Sequence, residues 1–356
     1  MPNKKRTIFT KILIWRYKYI SERQFILVLS VLVGFLAGLG TVLLKYLTLF
    51  IQSVLEGGFI RNYYYSLYFI FPIVGVWLVY LIKKNFLKKE IGHGISTTLY
   101  AISKRSGIIE RYKMFASLMV APITVGFGGS VGLQGPAVST GAAIGSNVAS
   151  MFHMNAKTRM LLIGCATAGA MSSMFKAPVA AIVFAVEIFS LDLVFTSLVP
   201  LLLASVAAVI TSYFFRGTDV LFSFELLDAW RVKDIVFYVF LGVATGIASV
   251  YFSKMYFLIT RFFAWFSNAY VKIGIAALAI GLMLYLFPPL YGEGYGLINN
   301  LLNGETEAAL NGIQYQIDFN NVWIVIAILL IIAVFKAIAM TTTFAAGGVG
   351  GIFIPT

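Results

Sequence analysis

The feature that most limits what this chain can fold into is a set of apolar runs, Phe25 to Phe50, Ile235 to Phe257 and Val322 to Met340. A helix rises about 1.5 Å per residue, so about 20 apolar residues cross the ~30 Å of a bilayer core. Of the 356 residues 60% are apolar and 12% are charged, whereas a soluble domain carries about a quarter charged residues. Too few charges remain to coat a water-exposed surface, which excludes an ordinary soluble enzyme. The expected fold class is all-α, a polytopic membrane protein.

Met1 to Arg23 holds seven basic residues and one acid, and Lys83 to Lys113 holds eight and two, so these stretches supply twelve of the net thirteen positive charges. Basic flanks mark the cytoplasmic side of membrane spans. Between them lie Phe25 to Phe50 and Leu67 to Ile82, and two crossings return the chain to the side it left, placing the N-terminus in the cytoplasm. On a soluble domain the same balance would read as a nucleic-acid patch. Here the basic residues flank spans, so lipid and not nucleic acid is the expected partner. The first apolar segment is about twice the length of a signal core and reads as a retained helix. Cys165 is the one cysteine, and His93 and His153 are the two histidines. That inventory makes neither an intrachain disulfide nor a transition-metal cage, and no metal or cofactor is expected.

Other segments fall short of a span. Ala137 to Phe152 is rich in small residues, Pro178 to Phe189 is short, and the chain is broken around Gly92, Gly126 to Pro136, Gly292 to Gly296 and Gly347 to Pro355. Irregular backbone at membrane depth is tolerated where it is buried in protein or lines a polar cavity. The breaks also repeat. Gly128-Gly129-Ser130-Val131-Gly132-Leu133-Gln134-Gly135-Pro136 and Gly347-Gly348-Val349-Gly350-Gly351-Ile352-Phe353-Ile354-Pro355 share a Gly-Gly start, a later Gly and a closing Pro. Gly92-His93-Gly94-Ile95 and Gly294-Tyr295-Gly296-Leu297 echo one another before each copy. Taken singly, such glycines are packing residues, as Gly141 to Gly145 are expected to be. Paired breaks in matching order point to a binding site between two structural halves. The expected division is a basic segment over 1–24, a first membrane repeat over 25–215, a linker over 216–234 and a second repeat over 235–356.

The first turn of a helix has N–H groups without intrahelical partners and carries about half a positive charge. Glycine lets an ion reach that backbone, and proline there sacrifices no hydrogen bond. Gly132 to Pro136 and Gly351 to Pro355 therefore read as helix starts that face an anion, binding it loosely enough to release it. Gly128 to Gly132 also fits the G-x-S-x-G nucleophile pattern. That motif needs a strand before it, and the run Met119 to Phe127 reads as helix, so an intramembrane serine hydrolase using Ser130 is a lesser alternative. Isolated charges in membrane segments are functional by default. Among these, Lys176 precedes Pro178 and is expected to reach an interface. Glu187 is expected to be a paired structural acid, and Lys336 has no partner assignable from sequence.

These residues together resemble the CLC family of chloride channels and chloride/proton exchangers. Gly132-Leu133-Gln134-Gly135-Pro136 is similar to its G-[KR]-E-G-P motif, Gly351 to Pro355 to its G-x-F-x-P motif, Gly92 to Ser96 to a degenerate G-S-G-I-P, and Phe175 to Glu187 to its F-x-A-P helix start and acid. The resemblance implies an inverted-repeat bundle of tilted and broken helices in a bacterial inner membrane, a homodimer, and an anion pathway in each subunit. It implies that the amides of Leu133, Gln134 and Gly135, following Gly132, face an outer anion position. Those of Ile352 and Phe353, following Gly351, face a central one. The family's anion-touching serine corresponds to His93, whose ring N–H offers a similar donor or else caps and packs a helix.

Three departures shape the expectation. Gln134 stands at the family's gating glutamate and cannot ionise. Ile188 stands where exchangers carry a second acid after the residue matching Glu187. The chain stops at Thr356, where a second half-helix is expected to begin, which reads as an incomplete second repeat. The expected function is passive, channel-like passage of chloride or similar small anions with weak or no proton coupling. A chloride/proton antiporter using other residues is the alternative, and a non-conducting remnant a third.

Overall fold

The computed structural model describes residues 18–55, 64–89, 91–92, 94–190, 195–218, 221–222, 231–313, 315 and 317–353. The described residues are overwhelmingly helical, the exception to helix and turn being one isolated antiparallel bridge between Gly132 and Gly351. Six helices are long and apolar enough to cross a membrane. They are α1 (Glu22–Leu55), α2 (Tyr64–Ile82), α8 (Phe195–Arg216), α9 (Ile235–Ala264), α10 (Ala269–Leu286) and α13 (Val322–Ala345). Between them lie α3 (Ile95–Lys104), α4 (Lys113–Gly126), α5 (Gln134–Met151), α6 (Ala156–Phe175), α7 (Pro178–Phe189), α11 (Tyr295–Leu302) and α12 (Thr306–Ala309). The molecule is thus the all-helical, multi-pass architecture that its apolar runs require.

The helices divide between two compact units drawn from interleaved stretches of chain. One comprises Met1–Leu43, Gly94–Phe115 and Ala137–Asp219; the other comprises Leu44–His93, Ala116–Pro136 and Val220–Thr356. The first unit is built by backbone-to-backbone packing around α6, which is buried from Leu162 to Met174. A methyl group on Gly34 would lie 2.2 Å from the Ala204 carbonyl oxygen, and one on Gly145 would lie 2.4 Å from that of Leu162. Small residues let membrane helices approach this closely, and hydroxyls then bond across the seams. Ser172 donates to the Ser205 carbonyl at 2.9 Å and Ser212 to that of Ser173 at 3.0 Å.

The second unit is centred on α10, whose Ile273, Ala276, Ile280 and Leu284 are buried against α2 and α13. Helix α9 packs on α13, and Tyr251 donates to the Val334 carbonyl at 3.1 Å. Most of its other apolar side chains are exposed, Phe237 by 72%. A helix apolar all round is stable when lipid is the solvent for its outer faces.

Candidate functional site

The two glycine breaks that the sequence pairs meet within the second unit, and they have one geometry. Helix α4 ends in a turn with Gly128 at φ 95°, and α13 in a turn with Gly347 at φ 91°. Both need the left-handed backbone that glycine adopts without penalty. In the first turn Gly128 N–H reaches the Val125 carbonyl and Gly129 N–H that of Thr124; in the second, Gly347 reaches Phe344 and Gly348 reaches Thr343. The turns then bond reciprocally. Ser130 N–H donates to Thr343 Oγ1 at 3.3 Å and Val349 N–H to Thr124 Oγ1 at 3.1 Å. Gly132 N–H donates to the Gly351 carbonyl at 3.0 Å, and Gly351 returns the bond at 2.6 Å. Thr124 and Thr343, Gly128 and Gly347, Ser130 and Val349, and Gly132 and Gly351 are equivalent positions at one common sequence separation, so the repeat read from residue types is a local two-fold in space. The contact excludes side chains, since a methyl on Gly351 would lie 2.5 Å from Gly135 N.

Beyond the bridge the symmetry breaks. Leu133 and Gln134 are buried at the start of α5, while Ile352 and Phe353 are 47% and 50% exposed. The Leu133 N–H donates to Glu293 Oε1 at 2.8 Å. Gln134 Nε2 donates to the Tyr295 hydroxyl at 2.6 Å and stands 3.5 Å from Glu293 Oε1. Because a carboxylate accepts only, it faces the –NH2 end of that amide; Gln134 Oε1 is left buried without a hydrogen-bond partner among the described residues. Lys336 Nζ donates to the Leu290 carbonyl at 3.2 Å and the Gly292 carbonyl at 2.9 Å, supplying the partners its sequence did not. Lys45 Nζ stands 5.9 Å from the centre of the Tyr295 ring. Among the described residues, none supplies an acceptor to the N–H groups of Gln134 and Gly135.

Gly132, Leu133, Gln134, Gly135 and Gly351 therefore form one cluster. His93 lies outside the described residues, as do Ile354, Pro355 and Thr356. Glu187 and Ile188 belong to the first unit. Helix α7 buries Ala181, Ala185, Val186 and Phe189. Ile188 packs partly against that core, whereas Glu187 points off it, exposed, with none of the side-chain partners expected for it among the described residues. Lys176 caps α6 and reaches out to the Gly217 carbonyl at 2.6 Å. Ser130 Oγ is fully buried, follows a helix, and donates to the Leu290 carbonyl at 2.7 Å; that arrangement leaves no exposed nucleophile of the strand-turn-helix kind.

Sequence reasoning named neither Glu293 nor Tyr295 as side chains of the site. The available signal was an acid between two glycines in an apolar chain, Gly292-Glu293-Gly294. It also missed a cavity of about 530 Å³ lined by Lys83, Lys84, Lys88 and Lys89 and reaching the turn from Gly347 to Gly350. Lys83 Nζ donates to the Gly347 carbonyl at 2.5 Å.

Two glycine breaks joined at Gly132 and Gly351 in an all-helical, multi-pass chain define a class: membrane proteins with irregular backbone held inside the protein between apolar helices. Within that class the chain belongs to the voltage gated chloride channel family, whose model matches residues 74–356. It is 26% identical over 352 residues to an H(+)/Cl(-) exchange transporter ClcA of Vibrio cholerae, covering 93% of this chain and 69% of that one. It spans 63% of a ClcB-like relative from Ralstonia nicotianae, at 25% identity. In fold it is similar to a CLC-type fluoride/proton antiporter, with TM-score 0.73 and 23% identity over 93% of this chain and 77% of that one. A slow cyanobacterial Cl-/H+ antiporter gives TM-score 0.72 at 18% identity, covering 94% and 76%.

Proposed function

We propose that this protein carries chloride or a similar small anion across a bacterial inner membrane in exchange for protons, as a homodimer with its N-terminus in the cytoplasm. One observation carries the anion reading. Two glycine breaks are hydrogen-bonded at Gly132 and Gly351 beside a helix start whose Gln134 and Gly135 N–H groups face no acceptor among the described residues. Such amides replace part of an anion's hydration without the tight hold of a bare cation. The four-lysine cavity beside the second break raises the local anion concentration at its mouth. Exchange, and not the passive passage expected from the sequence, is the reading that the named relatives support.

Passive passage is the second reading, and a specific observation favours it: Gln134 and Ile188 both lack the carboxyl groups expected to move protons. The two separate in liposomes holding the purified protein. An imposed chloride gradient is expected to drive proton movement against its own gradient, and chloride flux with no coupled protons would leave the passive reading in its place.

A further inference from the structure

The helix start already holds an anion of its own. Glu293, half-buried between Gly292 and Gly294, puts Oε1 on the Leu133 N–H at 2.8 Å, at the positive end of an 18-residue helix. One N–H does not serve a carboxylate and a halide together, and two negative charges at that spacing repel. We propose that Glu293 is a tethered competitor for the transported anion: as a carboxylate it occupies the Leu133 N–H, and on taking a proton from water it yields that position. This rests on the anion-transport reading above.

Gln134 positions the competitor. Its Nε2 faces the carboxylate and the Tyr295 hydroxyl, while its buried Oε1 has no partner among the described residues. An unsatisfied buried acceptor is costly, and the carboxylate form cannot relieve it because it has no proton to donate. The neutral acid has one. The site thus offers an amide N–H to the charged form of Glu293, a bond that the neutral acid no longer needs. Among the described residues, Lys336 of α13, Gln134 of α5 and Tyr295 of α11 face it, and Lys45 of α1 stands against the Tyr295 ring. The carboxylate form grows as pH rises, so chloride has to compete hardest at alkaline pH and gains as pH falls.

The experiment is calorimetric titration of the purified protein with chloride at mildly acidic and mildly alkaline pH. The wild type is expected to bind more weakly at the alkaline value. Glu293→Gln is expected to bind about tenfold more tightly there, the scale of losing one charge-assisted hydrogen bond, and to lose the pH dependence. Should that variant not fold, Glu293→Asp withdraws the carboxyl by one methylene and is expected to tighten alkaline binding as well. Wild-type affinity and pH dependence in whichever variant folds overturns the assignment. A wild type that shows this binding behaviour but moves no chloride in liposomes refutes the transport reading while leaving Glu293 as the competitor.

Discussion

At Gln134 a neutral amide lies 3.5 Å from a carboxylate oxygen, so the consequence of adding charge follows directly. In Gln134→Glu, two carboxyls share one pocket and one of them must hold a proton near neutral pH. Chloride flux in liposomes is expected to fall several-fold at alkaline pH and recover on acidification; an unchanged rate would count against this placement. Residue types exposed the helix start, because glycine before it and proline within it answer to backbone chemistry readable from neighbours in the chain. They concealed Glu293, which lies 160 residues from the amide it meets, a distance no local pattern encodes. Glu187 failed in the opposite sense. Its surroundings in the chain are apolar, which implies a partner, but it sits on the outer side of α7 and has none among the described residues.

At the scale of elements, spans were legible because apolar length alone decides them, and α1, α9 and α13 enclose the runs that define them. The pairing of breaks was legible as a repeat, but the reciprocal bonds through Thr124 and Thr343 were not, since threonine in a helix ordinarily returns its hydroxyl to its own backbone. Both threonines do that too, to Val120 and Ala339, and accept the second bond besides. The bridge leaves no space for a side chain. Gly351→Ala puts a methyl 2.5 Å from Gly135 N, where the neighbour is backbone and cannot swing aside. Thermal unfolding in detergent is expected to drop by several degrees and chloride flux to fall at least about tenfold. Retained stability and flux would mean that the two turns part readily.

Over the whole molecule, net charge is concentrated and not spread, and Lys83, Lys84, Lys88 and Lys89 bring part of it to one cavity. Fields of this kind change encounter rates and are screened by salt. Replacing Lys88 and Lys89 by glutamine is therefore expected to slow initial chloride flux at low ionic strength and to have little effect at high; a loss independent of salt would argue for direct binding instead. The interleaving of the two units has a different consequence, one of timing. Gly132 and Glu293 both lie in the second unit, but its chain begins at Leu44, is interrupted twice, and reaches the partner of Gly132 only at Gly351. During translation the first helix start must wait, with its amides unanswered, until more than two hundred further residues have left the ribosome, which makes the nascent protein most vulnerable to quality-control proteases late in its synthesis.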